Sequence, residues 1–302
     1  MAGCGLELSF AEEVLMLNSP LVRRLIHLAI EEDLSFDDVT SSLSIPDSAR
    51  AQAAVIARQS LVVCGTPLLG MIFDELGAET EVSVLTSDGQ PVTEDTVLAT
   101  IEGRTRDLLS AERMILNFMQ RLSGVATITR RFVEAAGGLV VLDTRKTLPG
   151  WRLLDKYAVG VGGAKNHRFH LGDMILVKNN HIDVARGKSP AEKVRATLAT
   201  VFEKKPTWMP VEVEIRSMDE LQAALGFKPQ IIMLDNMDDR QIKESLEVIK
   251  KEAPEIQVEI SGRVTVERLA ALKALGVNCV SVGALTTQAT NVDISMRIKP
   301  AN

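Results

Sequence analysis

From Gly124 onward, short apolar runs alternate with stretches of helical periodicity. The runs are Leu139–Leu142, Tyr157–Val161, Met174–Val177, Val211–Ile215, Ile231–Leu234, Ile256–Ile260 and Val280–Val282. Apolar residues at helical spacing separate several of them, at 190–203, 217–226, 238–252 and 264–275. Strands alternating with helices predict a parallel sheet. Runs this apolar imply burial on both faces. Seven runs suit a closed or nearly closed α/β barrel of about seven strands better than an open six-stranded sheet. No G-x-G-x-x-G follows an early strand, which counts against a dinucleotide fold.

The first part of the chain reads differently. Ser19-Pro20 predicts a helix start, with Leu21, Leu25 and Leu28 at helical spacing. Ala51–Ala57, Leu61–Cys64 and Val97–Ile101 read as strands, and Asp88-Gly89 as a turn. Arg106 to Ser123 lacks Pro and Gly and spaces its apolar residues as one long amphipathic helix. At the far end, Val292, Ile294, Met296 and Ile298 alternate with polar neighbours. A strand beyond a finished barrel needs a sheet to join, and the N-terminal domain is the expected host. The expected organisation is an N-terminal α/β sandwich domain over 1–125 plus 288–302, and a barrel catalytic domain over 126–287.

Charged or small residues end the barrel runs repeatedly: Arg145 and Lys146, Lys178, Glu214 and Arg216, Asp235, Ser261 and Gly262, Gly283. The C-terminal strand ends of α/β barrels carry their active sites. Asp143 to His181 holds seven Lys or Arg against three Asp and no Glu, in a chain of net charge −6. Arg145, Lys146, Arg168 and Lys178, with His167 and His181, form a cationic island suited to a small dicarboxylate. Glu212 and Glu214 share one face of a strand, and Asp235 ends the next. Such carboxylates suit Mg²⁺ held partly through water and substrate oxygens, or serve only to balance the cations. Ser261-Gly262 and Gly283 offer backbone N–H groups for phosphate. His167 and His170 lack zinc-site spacing.

The acidic pI of about 5.4 argues against a general nucleic-acid surface. No apolar run approaches the ~20 residues of a membrane span. Cys4, Cys64 and Cys279 lie far apart with no CxxC, which fits a reducing compartment. The opening MAGCGLELSFAEE lacks the basic start and apolar run of a signal peptide. A cytoplasmic location is expected.

Taken in order, EEDLSFDDVTS at 31–41, LATIEGRTRDLLSAERMILNFMQRLSG at 98–124, DTRKTLPG, NHR, VKNNH, VEVE, MLDN and VSVGALT resemble the quinolinate phosphoribosyltransferase family nearly end to end. The resemblance implies an N-terminal α/β domain and an incomplete α/β barrel, paired into a homodimer or a hexamer with shared active sites. It implies that quinolinate and phosphoribosyl pyrophosphate give nicotinate mononucleotide, pyrophosphate and CO₂ with Mg²⁺, a step of NAD biosynthesis. Position by position, it implies that Arg145, Lys146, His167, Arg168 and Lys178 hold quinolinate, with Arg113 reaching the partner's site. Lys146, Glu214 and Asp235 would be catalytic, with Glu214 and Asp235 binding the metal or the ribose hydroxyls. Ser261, Gly262, Arg263 and Gly283 would bind phosphate.

The chain departs from the family pattern in places. Ala164 replaces a third Gly before NHR, His170 a frequent Gly, and Asn179 a usual Asp. Arg263 stands where a second small residue is usual after Ser-Gly, and Thr287-Gln288 replace a His-Ser pair. Arg263 is expected to supply the phosphate charge that the missing His would have given. Three rivals fit less well. The pyrophosphorylase-like proteins of molybdenum-transport operons lack the Lys-x-Asn-His ending that VKNNH keeps. Nicotinate phosphoribosyltransferase needs fewer cations. A carrier module is suggested because Asp88 to Gly103 resembles a lipoyl-like β-hammerhead, but the segment has no lysine to modify.

Overall fold

The computed structural model describes residues 16–301. Helices α1 (Pro20–Asp33) and α2 (Val39–Ser44) come first. After them run β1 (Arg50–Ala57), β2 (Leu61–Val62), α3 (Pro67–Glu75), β3 (Thr80–Val84), β4 (Pro91–Val92) and β5 (Val97–Arg104). The long helix α4 (Thr105–Ala136) leads to β6 (Val140–Leu142), α5 (Arg152–Val161), β7 (Ile175–Val177), α6 (Asn179–Asp183) and α7 (Pro190–Lys204). The chain continues with β8 (Val211–Ile215), α8 (Met218–Leu225), β9 (Ile231–Asp235), α9 (Asp239–Glu252) and β10 (Gln257–Ser261). It closes with α10 (Leu269–Leu275), β11 (Cys279–Ser281), α11 (Ala284–Thr287) and β12 (Ile294–Pro300). Two compact units result. Of the described residues, one unit takes 131–145 and 165–283, and the other takes 16–130, 146–164 and 284–301.

The second of these units is built on an antiparallel sheet ordered β12-β1-β5-β3. β12 pairs with β1 from Ala51↔Pro300 to Ala57↔Ile294. The closing strand therefore forms an edge of this sheet. α1 starts as its sequence predicts: Pro20 opens the helix, and the Ser19 hydroxyl accepts the Leu21 N–H. α4 buries Leu108, Ile115, Met119 and Leu122 on one stripe. It does not stop at Gly124. A Cβ there would collide with the Thr290 carbonyl, so the glycine allows a close backbone approach and does not break the helix.

Tyr157–Val161, expected as a strand, is the second half of α5. Leu154, Tyr157 and Ala158 are buried at i, i+3 and i+4, which is helical spacing. A five-residue apolar run does not distinguish a strand from a buried helix segment, and the run's polar lead-in belongs to the same helix.

The other unit holds a six-stranded parallel sheet, ordered β6-β11-β10-β9-β8-β7. It is barrel-like and not closed, with β6 and β7 as its edges. The run that is a helix accounts for six strands in place of about seven. The four expected helical stretches form α7, α8, α9 and α10, the last preceded by a 3₁₀ turn at Val266–Arg268. Within the sheet, Val211, Val213, Ile215, Val258 and Ile260 are almost fully buried on one face. Glu212, Glu214 and Glu259 alternate with them and project from the other face. Among the described residues, no helix is long and apolar enough to cross a membrane.

Candidate functional site

The unit with the parallel sheet gathers charges where its strands end. β8 ends beside β7 and β9, so Glu214, Lys178 and Asp235 are neighbours by register. Lys178 Nζ lies 3.2 Å from Glu214 Oε1. The Asn179 N–H donates to Glu214 Oε2 at 2.8 Å. The Asn179 side-chain amide donates to Asp235 Oδ2 at 3.2 Å, and the Asn236 amide to the same oxygen at 3.0 Å. Asn179 thus ties both carboxylates to the first turn of α6. Its own Oδ1 is buried and makes no hydrogen bond.

That arrangement fits a hard cation. Asn179 links two carboxylates and carries an orphaned amide oxygen of its own, and Mg²⁺ takes oxygen ligands. The cation paired with Glu214, Lys178, has a side chain 47% exposed.

Deeper in the same unit, His167 and Arg168 are buried. Asp143, fully buried after β6, accepts the His167 N–H at 2.7 Å and so fixes this turn. The His167 ring accepts the Arg168 N–H on Nδ1 at 2.8 Å. Its Nε2 lies 3.1 Å from Glu212 Oε2 and 3.6 Å from Glu259 Oε2. Burial, then the like charge of Arg145, pulls the Arg168 guanidinium below its ordinary pKa, while Glu212 acts in the opposite sense. The Arg168 Nη1 donates to the Met174 carbonyl at 3.1 Å. Arg145 is half-buried, and its Nε makes no hydrogen bond. A buried guanidinium and a half-buried one held near one another describe a seat for an anion.

Burial raises Glu212 and Glu259 alike to about 8. Glu212 was expected to face the same site as Glu214. It shares that face, as expected, but lies two residues earlier in β8 and is fully buried. Glu259 escaped the sequence reading altogether. The signal was present: V-E-I in β10 repeats the V-E-V of β8, placing an ionisable group mid-strand in the same alternation.

Ser261 and Gly262 are half-buried at the end of β10, and Gly283 follows β11. Gly262 has φ +84° and lies so close to the Asn236 side chain that no Cβ would fit. Arg263 follows in the left-handed region at φ 54° and is exposed.

Two expected site residues belong to the other unit. Lys146 is exposed, and its carbonyl accepts the Thr286 hydroxyl at 2.7 Å. Arg113 is exposed on α4, beside a cavity of about 270 Å³ shared with Leu25, Asp33, Asn117 and Trp151. His181, grouped with the cations from sequence, has a different task. Its Nδ1 accepts the Lys178 N–H at 2.9 Å and caps α6. It lines a separate cavity of about 670 Å³ with Ile175, Thr197 and Lys204, where no carboxylate is found. Arg216 is also engaged elsewhere, with Asp183 at 2.8 Å and Glu220 at 2.9 Å.

Comparison with known proteins agrees with this chemistry. Residues 38–123 match the quinolinate phosphoribosyl transferase N-terminal domain and residues 125–297 its C-terminal domain. A nicotinate-nucleotide pyrophosphorylase [carboxylating], chloroplastic, of Oryza sativa subsp. japonica is 37% identical over 92% of this chain and 77% of its own length. A probable nicotinate-nucleotide pyrophosphorylase [carboxylating] of Synechocystis is 39% identical over 82% of this chain and 83% of its own. The crystal structure of NadC from Streptococcus pyogenes superposes with a TM-score of 0.86 at 33% identity, covering 93% of this chain and 97% of that one. With both domains matched in order and more than a third of residues shared with relatives along most of its length, the chain belongs to the quinolinate phosphoribosyltransferase family.

Proposed function

We propose that this chain transfers the phosphoribosyl group of phosphoribosyl pyrophosphate to quinolinate and decarboxylates the product, giving nicotinate mononucleotide, pyrophosphate and CO₂. It is a carboxylating nicotinate-nucleotide pyrophosphorylase of NAD biosynthesis. The observation that carries this reading is the pairing of Lys178 with Glu214 at neighbouring strand ends, with Asn179 bridging from Glu214 to Asp235 and the buried Arg168 in the same unit. A dianionic pyridine and a sugar diphosphate need that pairing of cations with carboxylates.

Arg145, Lys146, Arg168 and Lys178, with Arg113, serve the two carboxylates of quinolinate, and His167, expected among them, acts instead by holding the Arg168 backbone N–H on its Nδ1. The charge of these cations aims the unprotonated ring nitrogen at C1 of the ribose, which is chiefly a positioning contribution. The nitrogen forms the new bond to C1 as the bond to pyrophosphate breaks, and the electron pair leaves with pyrophosphate. Positive charge grows on the sugar, where Glu214 and Asp235 oppose it. Glu214 and Asp235, with Asn179 Oδ1 beside them, would hold Mg²⁺, whose charge offsets that of the departing pyrophosphate. Ser261, Gly262, Arg263 and Gly283 serve the phosphate end. The ribosylated ring is a pyridinium, able to accept the electron pair freed when the adjacent carboxylate leaves as CO₂. A proton then takes the vacated ring carbon. No side chain is required as a covalent nucleophile.

The test is release of ¹⁴CO₂ from carboxyl-labelled quinolinate. Release dependent on phosphoribosyl pyrophosphate supports the reading; release without it, or none with both substrates, overturns it.

The reading includes a homodimer with shared sites. Leu28, Val39, Leu43 and the 98% exposed Phe36 put apolar area on the surface of one unit, as a subunit contact would use. Mixing Arg113→Ala with Lys146→Ala subunits tests sharing: recovered activity supports it, and none refutes it. A cytoplasmic location is part of the same reading, supported by Cys64 and Cys279, both buried thiols. Cell fractionation checks it.

A further inference from the structure

Glu212 and Glu259 are fully buried and face each other across the inner side of the parallel sheet, with His167 between them. Both oxygens of Glu212 and Oε1 of Glu259 make no hydrogen bond. The 3.1 Å approach of His167 Nε2 to Glu212 is therefore a close charge contact without a hydrogen bond, and Glu259 Oε2 lies 3.6 Å from the same nitrogen. Cys279 Sγ lies 3.9 Å from Glu259 Oε2 and closes the other side.

Three buried potential ligands within 4.8 Å of one another also have the spacing of a metal site. The other ring nitrogen excludes that use. Nδ1 accepts the Arg168 N–H at 2.8 Å, so it bears no proton. A neutral imidazole then carries its proton on Nε2, and a protonated nitrogen cannot ligate. The same bond makes His167 part of Arg168's mounting: the ring is seated from below by two carboxyl groups and holds the Arg168 backbone from above. Neither ring nitrogen is left to bind a substrate carboxylate.

We propose that Glu259 is a positioning residue for the pyridine dicarboxylate: with Glu212 it faces the Nε2–H of His167, fixes the ring so that Nδ1 receives the Arg168 N–H, and so aims the Arg168 guanidinium. This rests on the reading that Arg168 holds a quinolinate carboxylate.

Two substitutions and one spectrum test it. Glu259→Gln keeps an acceptor oxygen; Glu259→Leu keeps the volume and removes it. Glu259→Leu should raise KM for quinolinate about tenfold or more while KM for phosphoribosyl pyrophosphate stays within about twofold. Glu259→Gln should restore most of the loss. Equal rises in both KM values, or an unchanged quinolinate KM, would overturn the proposal. The chain has four histidines, so ¹⁵N spectra of histidine-labelled protein, assigned with His167→Gln, are simple to read. His167 should be the neutral Nε2–H tautomer in the wild type. An Nδ1–H tautomer, an imidazolium, or a stoichiometric bound metal that moves the His167 signals would refute it. The spectrum decides even if Glu259→Leu does not fold. It is also independent of turnover, so absent ¹⁴CO₂ release would remove the function and leave the ring's seating tested on its own.

Discussion

Lys178 and Glu214 neutralise one another at the ends of adjacent strands, 3.2 Å apart, with Glu214's second oxygen held by the Asn179 N–H. Each is also wanted by a different part of the substrate pair. A quinolinate carboxylate competes for Lys178, and a cation or the ribose competes for Glu214. Lys178→Met should therefore raise KM for quinolinate by roughly 10- to 100-fold, the loss of one charge-assisted bond. Glu214→Gln should instead lower kcat and increase the Mg²⁺ needed for half-maximal rate. Steady-state kinetics of both variants and of the double variant check this. The two effects should be non-additive, because each change frees the other's partner.

Arg263 occupies a backbone position that favours glycine, at φ 54°. Holding a side chain there costs about 1 kcal/mol. Nothing in its own unit repays that cost through burial, since the residue is exposed. Arg263→Gly should accordingly stabilise the fold by up to about 1 kcal/mol while raising KM for phosphoribosyl pyrophosphate and sparing that for quinolinate. Thermal melts and kinetics on the one variant read both signs. A stabilised enzyme with unchanged donor KM would leave Arg263 without a phosphate role.

The strands and helices of the barrel unit were legible because each is a periodic run bounded by turn residues, as in Val211–Ile215 or 239–252. The strand-end chemistry was legible for a related reason: Lys178, Glu214 and Asp235 break apolar runs at their C-terminal ends. Tyr157–Val161 misled because five apolar residues look alike in a strand and in the buried half of a helix. Gly124 misled because a glycine needed for close approach to Thr290 reads as a stop signal. Glu259 was overlooked because hydropathy averages over a strand interior, and one buried acid among Val258 and Ile260 does not change the average. His181 was over-read, since a capping imidazole and a ligand-binding one have the same one-letter code.

Arg121 pairs with Asp155 in the other unit, with Nη2 to Oδ1 at 3.1 Å, and also donates to the carbonyls of Thr286 and Ala289. Asp155 is fully buried, its pKa raised by desolvation and lowered less by Arg121. Removing the guanidinium would leave a buried carboxylate uncompensated. Arg121→Met should destabilise the protein by about 3–5 kcal/mol. Asp155→Leu in the same chain should recover part of the loss, because it removes the stranded acid. Chemical denaturation of the two single variants and the double variant measures it; equal destabilisation in all three would contradict it.

Asn179 bridges Glu214 and Asp235: its N–H donates to Glu214 and its side-chain amide to Asp235. Asn179→Asp would replace that donor with a third carboxylate. Without a cation the three acids repel, and the variant should melt below the wild type. Added Mg²⁺ should raise its melting temperature more than it raises that of the wild type, by linkage. Melting curves over a Mg²⁺ series, with no substrate present, provide the readout. Equal Mg²⁺ responses would place the cation elsewhere.

Glu259 links the buried layer to pH. Its pKa in the fold is raised from 4.5 to about 8, first by burial and next by Glu212, with His167 and Ser281 opposing. Below pH 4.5 the group is neutral in both folded and unfolded chains and affects nothing. Between there and about 8 the unfolded chain ionises and the folded one does not. The unfolded state then binds fewer protons, so stability falls as pH rises, by up to about 1.4 kcal/mol per unit from this group. Above about 8 both forms are ionised and the decline from this source ends. Glu259→Gln cannot ionise, so its stability should fall less steeply between pH 5 and 8 than that of the wild type. Urea midpoints taken at half-unit steps across that window check it. Parallel curves for the two proteins would mean that Glu259 is already ionised in the fold.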